Sequence, residues 1–159
     1  MSVKFVDGDV FATPSNVALA HGCNCAGAMG KGIAVEFKRR WPVMYSLYKT
    51  KCNDGEFACG DVLAWEDDAT GRIVFNLGTQ KTWRTKATLD AIRASLEKTV
   101  ALAEEARVKA VCMPMIGAGL GGLDVALVKQ LIVDVVGESS VLFVVCENYS
   151  KGIAPLSVE

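Results

Sequence analysis

Residues 110–116, AVCMPMI, constrain the fold more than any other stretch: they form a run of strand length with no charged side chain. A strand that alternates polar and apolar residues can face water on one side. This one cannot, so both of its faces must be covered, as in a parallel sheet flanked by helices. Residues 141–149, VLFVVCENY, repeat the pattern until their polar last three positions. Between the two lies LDVALVKQLIVDVVG, a helix stopped by Gly137. Strand, helix, strand is the connection that parallel neighbours require.

The rest of the chain extends this reading. VKFVDGDVF (3–11) begins as a strand and breaks at Asp7-Gly8-Asp9, and VALAHGC (17–23) is a second apolar run. Ile33, Val35, Phe37 and Trp41 sit beside Glu36, Lys38, Arg39 and Arg40 in an amphipathic helix that Pro42 closes or restarts, with helical character to about residue 52. DVLAWED (61–67) and RIVFNLG (72–78) are strands joined by a turn at 68–71. Residues 86–107 make the longest helix, with Leu89, Ile92, Leu96, Val100 and Ala103 on one stripe. The order β-β-α-α-β-β-α-β-α-β predicts an α/β fold, a three-layer α/β/α sandwich on a mixed, mainly six-stranded central sheet. The 159 residues carry no internal repeat, low-complexity tract or linker, so a single domain over 1–159 is expected.

The net charge of −1 gives no global basic field, so a nucleic acid would have to be met at a local site. No apolar run approaches the roughly 20 residues of a membrane span, and the opening MSVKFVDGDV lacks a signal-peptide core. The expectations are no membrane partner and a cytoplasmic location. Six cysteines in that setting are reduced thiols whose ordinary role is packing. Cys23 and Cys25 are spaced C-x-C, Cys52 and Cys59 follow, and His21 is the sole histidine. The paired spacing of a structural zinc site is absent, so no metal and no cofactor are expected. Alternation places Cys23 on the face of His21, but no third group orients such a nucleophilic pair.

Two glycine loops hold the chemistry. Gly27-Ala28-Met29-Gly30-Lys31-Gly32 follows a strand and opens a helix, where free backbone N–H groups favour an anion. It is not a Walker A loop, because Gly32 rather than Ser or Thr follows Lys31. The second loop, Gly117-Ala118-Gly119-Leu120-Gly121-Gly122, matches G-x-G-x-x-G, and Glu147 ends the next strand. That is the context of a nicotinamide oxidoreductase, yet too little chain follows for a second half of such a fold. Two loops at the carboxyl ends of strands suit one ligand lying across both, such as a diphosphate bracketed by two sugars.

Taken together, Gly8-Asp9-Val10, HGCNCAGAMGKGIAVEFKRRWP, NLGTQKTWR and MPMIGAGLGGLD resemble the macrodomain family of ADP-ribose-binding modules over almost the whole chain. The likeness is nearest to the branch with the DNA ADP-ribosyl glycohydrolase antitoxins and terminal ADP-ribose protein glycohydrolases. It implies that Asp9 and Val10 meet the adenine. Asn24 and the loop through Met29, Gly30, Lys31, Gly32 and Ile33 would hold the distal ribose and one phosphate. Gly117, Ala118, Gly119, Leu120 and Gly121 would cradle the diphosphate, and Glu147, Asn148 and Tyr149 would border the adenosine. Backbone amides alone can hold a diphosphate, which suits glycines without a surplus of cations.

The resemblance also implies hydrolysis of ADP-ribosyl linkages on DNA or protein, or of ADP-ribose 1″-phosphate; a non-catalytic reader of ADP-ribose or of an ADP-ribosylated macromolecule is the alternative. Hydrolases of this branch carry a lysine directly after the threonine, where this chain has Thr79-Gln80 and then Lys81. Protein-directed members carry an aspartate where this chain has Gly121, and Asp124 follows three residues on, where a helix N-cap reading competes. Asn24, Lys81 and Asp124 are therefore the catalytic candidates. Lys81, Trp83 and Arg84 form a basic-aromatic cluster placed to meet nucleic acid, with a core-anchoring tryptophan as the plainer reading.

Overall fold

A computed structural model describes residues 2–117 and 121–155. Among these, β1 (Val3–Gly8), β2 (Ala18–Asn24), α1 (Ala34–Arg40), α2 (Pro42–Asn53), β3 (Val62–Glu66), β4 (Ile73–Gln80), α3 (Leu89–Ala106), β5 (Ala110–Pro114), α4 (Val125–Val136) and β6 (Leu142–Tyr149) follow in the predicted order. The sheet runs β1-β6-β5-β2-β4-β3. Every neighbouring pair is parallel except β3 with β4. That pair is a hairpin closed by Gly71 N–H donating to the Asp67 carbonyl at 2.7 Å, short enough that antiparallel pairing is the only outcome. The order is not the two-halved arrangement of a dinucleotide fold.

Side chains alternate between two buried layers. Ala18 and Ala20, Val111 and Met113, Phe143 and Val145 pack with Ile92 and Leu96 of α3 and Val128 and Ile132 of α4. Leu19, Cys112, Val144 and Cys146 pack with Phe37 of α1 and Met44 of α2 on the other face. Both faces are thus dry, as the apolar strands require, and each fully buried large side chain contributes roughly 1.5–3 kcal/mol.

The boundaries differ from expectation where side chains cap the backbone. Pro42 restarts the helix as the first residue of α2, after Trp41 leaves helical geometry. The long helix begins at Leu89 rather than 86, because Thr88 caps it by accepting from Ala91 N–H at 3.1 Å. β4 runs two residues further, through Thr79 and Gln80, whose polarity hides them from an apolar pattern although both are buried.

A buried polar chain crosses the sheet beneath the site. His21 Nε2 donates to Asn76 Oδ1 at 2.6 Å, and Asn76 Nδ2 donates to the Leu63 carbonyl at 3.1 Å, linking β2, β4 and β3. That bond assigns the His21 tautomer and leaves Nδ1 a buried acceptor without a partner among the described residues. The ring stacks on Phe37 with centroids 3.8 Å apart. Burial lowers the His21 pKa to about 4 against the hydrogen bond to Asn76. The unfolded chain therefore binds the proton at higher pH than the native one, and acid favours unfolding. Denaturant titrations should show stability falling by about 2 kcal/mol from pH 7.5 to pH 5, with His21→Gln flattening the slope; an equal slope in the variant contradicts this role.

Candidate functional site

Because β1, β6, β5, β2 and β4 are parallel, their carboxyl ends share one edge, and three hollows adjoin one another along it. A hollow of ≈ 780 Å³ lies at the β1–β6 end and one of ≈ 590 Å³ at the β2–β4 end. Between them a hollow of ≈ 200 Å³ shares Gly32, Ile33, Pro114 and Met115 with the first and Gly22, Lys31, Ala34 and Gln80 with the second. The result is one elongated cleft.

At the large end, Phe11, Ile33, Glu36, Met115, Val125 and Tyr149 surround the hollow, with Glu147 and Asn148 at its border. Glu147 pairs with Lys129, and Asn148 donates to Asp7 Oδ1 at 2.9 Å, so two polar members of the rim are tied to the frame. Asp9 and Val10, expected against a ligand ring, do not line the hollow. Val10 is buried in the core, and Asp9 accepts from Phe11 N–H at 3.0 Å through Oδ1 and from Gly152 N–H at 3.1 Å through Oδ2. Asp9 shapes the turn that presents Phe11. Phe11, Glu36, Met115, Val125 and Cys146 were not expected here; Phe11, an aromatic directly after the strand-ending turn, carried the only readable signal.

At the other end Asn24 ties the first glycine loop. Its Oδ1 accepts from Ala26 N–H at 3.0 Å and Ala28 N–H at 3.3 Å, and its Nδ2 donates to the Ala28 carbonyl at 2.8 Å. Helix α2 adds Tyr48 Oη, which donates to the Asn24 carbonyl at 2.6 Å, and Tyr45 Oη, which donates to the Gly27 carbonyl at 3.0 Å. Among the described residues the second amide hydrogen of Asn24 has no partner. Met29 is buried beneath the loop, while Gly30 and Lys31 line the hollow. Lys31 Nζ lies 4.8 Å from the Trp83 ring centroid and Arg84 Cζ 4.6 Å, so the half-exposed indole carries two cations at the mouth of the hollow.

The catalytic candidates are not gathered in one place. Lys81 is exposed and lines none of the three hollows. Asp124 caps α4, its Oδ1 accepting from Ala126 N–H at 2.8 Å. Gln80, directly after Thr79, donates both amide hydrogens, to the Thr82 carbonyl at 2.8 Å and the Thr85 carbonyl at 3.0 Å. Among the described residues no carboxylate lines the ≈ 590 Å³ hollow. Cys23 is no nucleophile: burial pushes its thiol well up, and it donates to the Leu77 carbonyl while His21 is engaged with Asn76. Among the described residues no cluster of His, Cys, Asp or Glu could hold a metal.

In the second loop, Ala118, Gly119 and Leu120 lie outside the described residues. Gly117 has φ +79°, and a Cβ there would stand 2.3 Å from Ile92 Cδ1, so only glycine lets β5 turn into the loop. Gly117 and Gly121 both line the ≈ 200 Å³ hollow.

A sequence profile described as Macro domain matches residues 20–132. A DNA ADP-ribosyl glycohydrolase of Thermus aquaticus is 35% identical over 132 residues, which cover 82% of this chain and 36% of that protein. An ADP-ribose 1″-phosphate phosphatase of Aspergillus oryzae is 42% identical over 57 residues, 36% of this chain and 28% of that one. The macrodomain of Mycobacterium tuberculosis DarG superposes with a TM-score of 0.83 at 33% identity, covering 92% of this chain and 96% of the other. The chain therefore spans little more than a third of the DNA ADP-ribosyl glycohydrolases it matches.

If Asn24 ties the loop, Asn24→Ala should speed amide exchange at Ala26 and Ala28 and lower stability by about 1 kcal/mol, since part-buried backbone groups lose their partner. Unchanged exchange at both amides contradicts the assignment.

Proposed function

The chain belongs to the macrodomain family, and on that premise we propose that residues 1–159 form one domain whose cleft binds ADP-ribose and hydrolyses its bond to a nucleic acid. The adenosine occupies the ≈ 780 Å³ hollow, the diphosphate crosses the ≈ 200 Å³ hollow and the distal ribose enters the ≈ 590 Å³ hollow beside Asn24. The observation that carries this reading is the order of the walls: an aromatic and apolar hollow, a narrow glycine-lined waist, then a cationic and aromatic mouth. In this placement the diphosphate meets backbone N–H groups of the two glycine loops, and the free Asn24 amide hydrogen meets a ribose hydroxyl.

Charge distribution supports a nucleic acid as the group being released. Residues 31–51 hold six basic side chains and one acidic, and 81–86 hold three basic and none acidic; the remainder has eight basic and seventeen acidic. The single acid, Glu36, is paired with Arg39 at 2.8 Å and Arg40 at 3.1 Å. Lys31 and Arg84 meet phosphates and Trp83 stacks on a base, with Lys81 on the same segment. The setting we infer is cytoplasmic; among the described residues no helix is long and apolar enough to cross a membrane.

The chemistry rests on position. Cleavage at the anomeric carbon needs an aligned water and stabilisation of an oxocarbenium-like charge, and the substrate's own diphosphate oxygens can supply both when the cleft folds them toward that carbon. Lys81 and Asp124 lie off the cavity wall, so Lys81→Ala and Asp124→Ala should keep turnover within about threefold; a loss beyond about thirtyfold in either would assign it to the chemistry. The same geometry favours a second reading, a reader without turnover. Incubation with ADP-ribosylated DNA, ADP-ribosylated protein and ADP-ribose 1″-phosphate separates the two: release from DNA is expected, and no turnover of any of the three leaves only the reader.

Binding itself has a sharper test. A Cβ on Gly121 would lie 3.2 Å from Ala87 Cβ and 3.7 Å from Gln80 Oε1, at the waist. Gly121→Glu puts a carboxylate against the diphosphate, at roughly 4 kcal/mol for charges about 4 Å apart. Calorimetry should show ADP-ribose affinity falling by about 100-fold or more with the thermal midpoint retained, and undiminished affinity would place the ligand elsewhere.

A further inference from the structure

We propose that Cys25 and Cys59 form a redox modification site, a thiol pair that closes to a reversible disulfide and fastens the Asn24 loop to the sheet edge. Their sulfurs are 3.8 Å apart, with Cys25 half-buried and Cys59 exposed. The backbone holds the two on either side of β4. Cys25 N–H donates to the Gln80 carbonyl at 2.9 Å, one residue after β2 ends. On the opposite side the loop before β3 is tied down by Gly60 N–H donating to the Gly78 carbonyl and Gly78 N–H donating to the Asp61 carbonyl, each at 2.8 Å. Between them Gly78 leaves the space empty: a Cβ there would stand 2.7 Å from the Ala58 carbonyl oxygen and 3.1 Å from Cys25 Sγ. The approach of the two cysteines thus depends on a glycine whose φ is not in the left-handed region. Bonding needs the sulfurs to close from 3.8 Å to about 2.05 Å, and the exposed Cys59 is the side chain that moves.

The oxidant is a small-molecule disulfide. The Cys59 thiolate attacks one of its sulfurs, forms a mixed disulfide and expels one small thiolate, which takes up a proton. Burial holds the Cys25 thiol up, and the charge of Cys59 and its hydrogen bond add to that. Capping Cys59 removes the last two influences, while burial, the largest, and the smaller effects of Cys52 and Asp61 remain. Cys25 then loses its proton to solvent and attacks the Cys59 sulfur, and the second small thiolate leaves and is protonated. Two protein thiols have been oxidised and one small disulfide reduced to two thiols. The other close pair, Cys112 and Cys146 at 3.7 Å, is less accessible: Cys112 is fully buried, and Cys146 shows only a small part of its surface to the ≈ 780 Å³ hollow.

Cys25 follows directly on Cys23 and Asn24 at the end of β2, and those two line the ≈ 590 Å³ hollow with Ala28 of the loop, so the disulfide sets the rigidity of that wall. The test is incubation of the folded protein with oxidised glutathione, alkylation of remaining thiols and peptide mapping. The expected product is a Cys25–Cys59 cross-link that dithiothreitol reverses, a thermal midpoint raised by at least about 3 °C, and slower amide exchange at Ala26 and Ala28. Cys25→Ser should trap glutathione on Cys59, and Cys59→Ser should yield no cross-link at Cys25. Glutathione retained on Cys59 in the unsubstituted protein, or a cross-link only at Cys112–Cys146, overturns the proposal. The mapping uses no ADP-ribose, so its failure leaves the binding reading untouched.

Discussion

The common direction of five strands is the constraint on which the cleft depends. Parallel pairing brings the ends of β1, β6, β5, β2 and β4 to one edge, so that Asp9, Tyr149, Met115, Asn24 and Gln80 follow one another around a single rim. Parallel pairing also demands helical crossovers, and those helices cover both faces and keep the strands dry. The hairpin that adds β3 in the opposite sense sits at the far edge, where it does not interrupt the rim.

At that rim most polar side chains are engaged by the loops themselves. Asp9 accepts from two backbone N–H groups, Gln80 donates to two carbonyls, and Asn24 closes its loop with three bonds to backbone. Their work is to fix the shape of turns, which leaves main-chain N–H groups and a few aromatic faces as the surfaces available to a ligand. A cleft built in this way can offer backbone donors to an anion without an excess of cations. It also holds little acid or base, in keeping with the proposed reaction through the placement of water and phosphate.

Much of this was legible in the chain. AVCMPMI and VLFVVCENY demanded a covered parallel sheet, and the positions of all ten elements followed from apolar runs, turn signals and helical periodicity. Boundaries were lost where a side chain outweighs propensity, as at the Thr88 cap and at buried Thr79 and Gln80. The glycine loops stood out because a close approach excludes side chains, and Asn24, Gly30, Lys31, Gly32, Ile33 and Gly117 do line the cleft. Asp9 and Val10 mark the right strand end but turn inward, and the aromatic next to them faces the hollow. Sequence neighbours cannot show that Lys31, 52 residues before Trp83, would share its ring with Arg84 in place of Lys81. Such pairings arise only once β2 and β4 lie side by side.

The central claim is that one ligand spans the whole rim in a fixed direction. A crystal structure of the protein with ADP-ribose tests it most directly. The account predicts adenine between Phe11 and Tyr149, diphosphate against the Gly32 and Gly121 backbone, and the distal ribose beside Asn24 with its anomeric carbon toward Trp83. Adenine stacked on Trp83, or a ligand bound away from the two glycine loops, would contradict it.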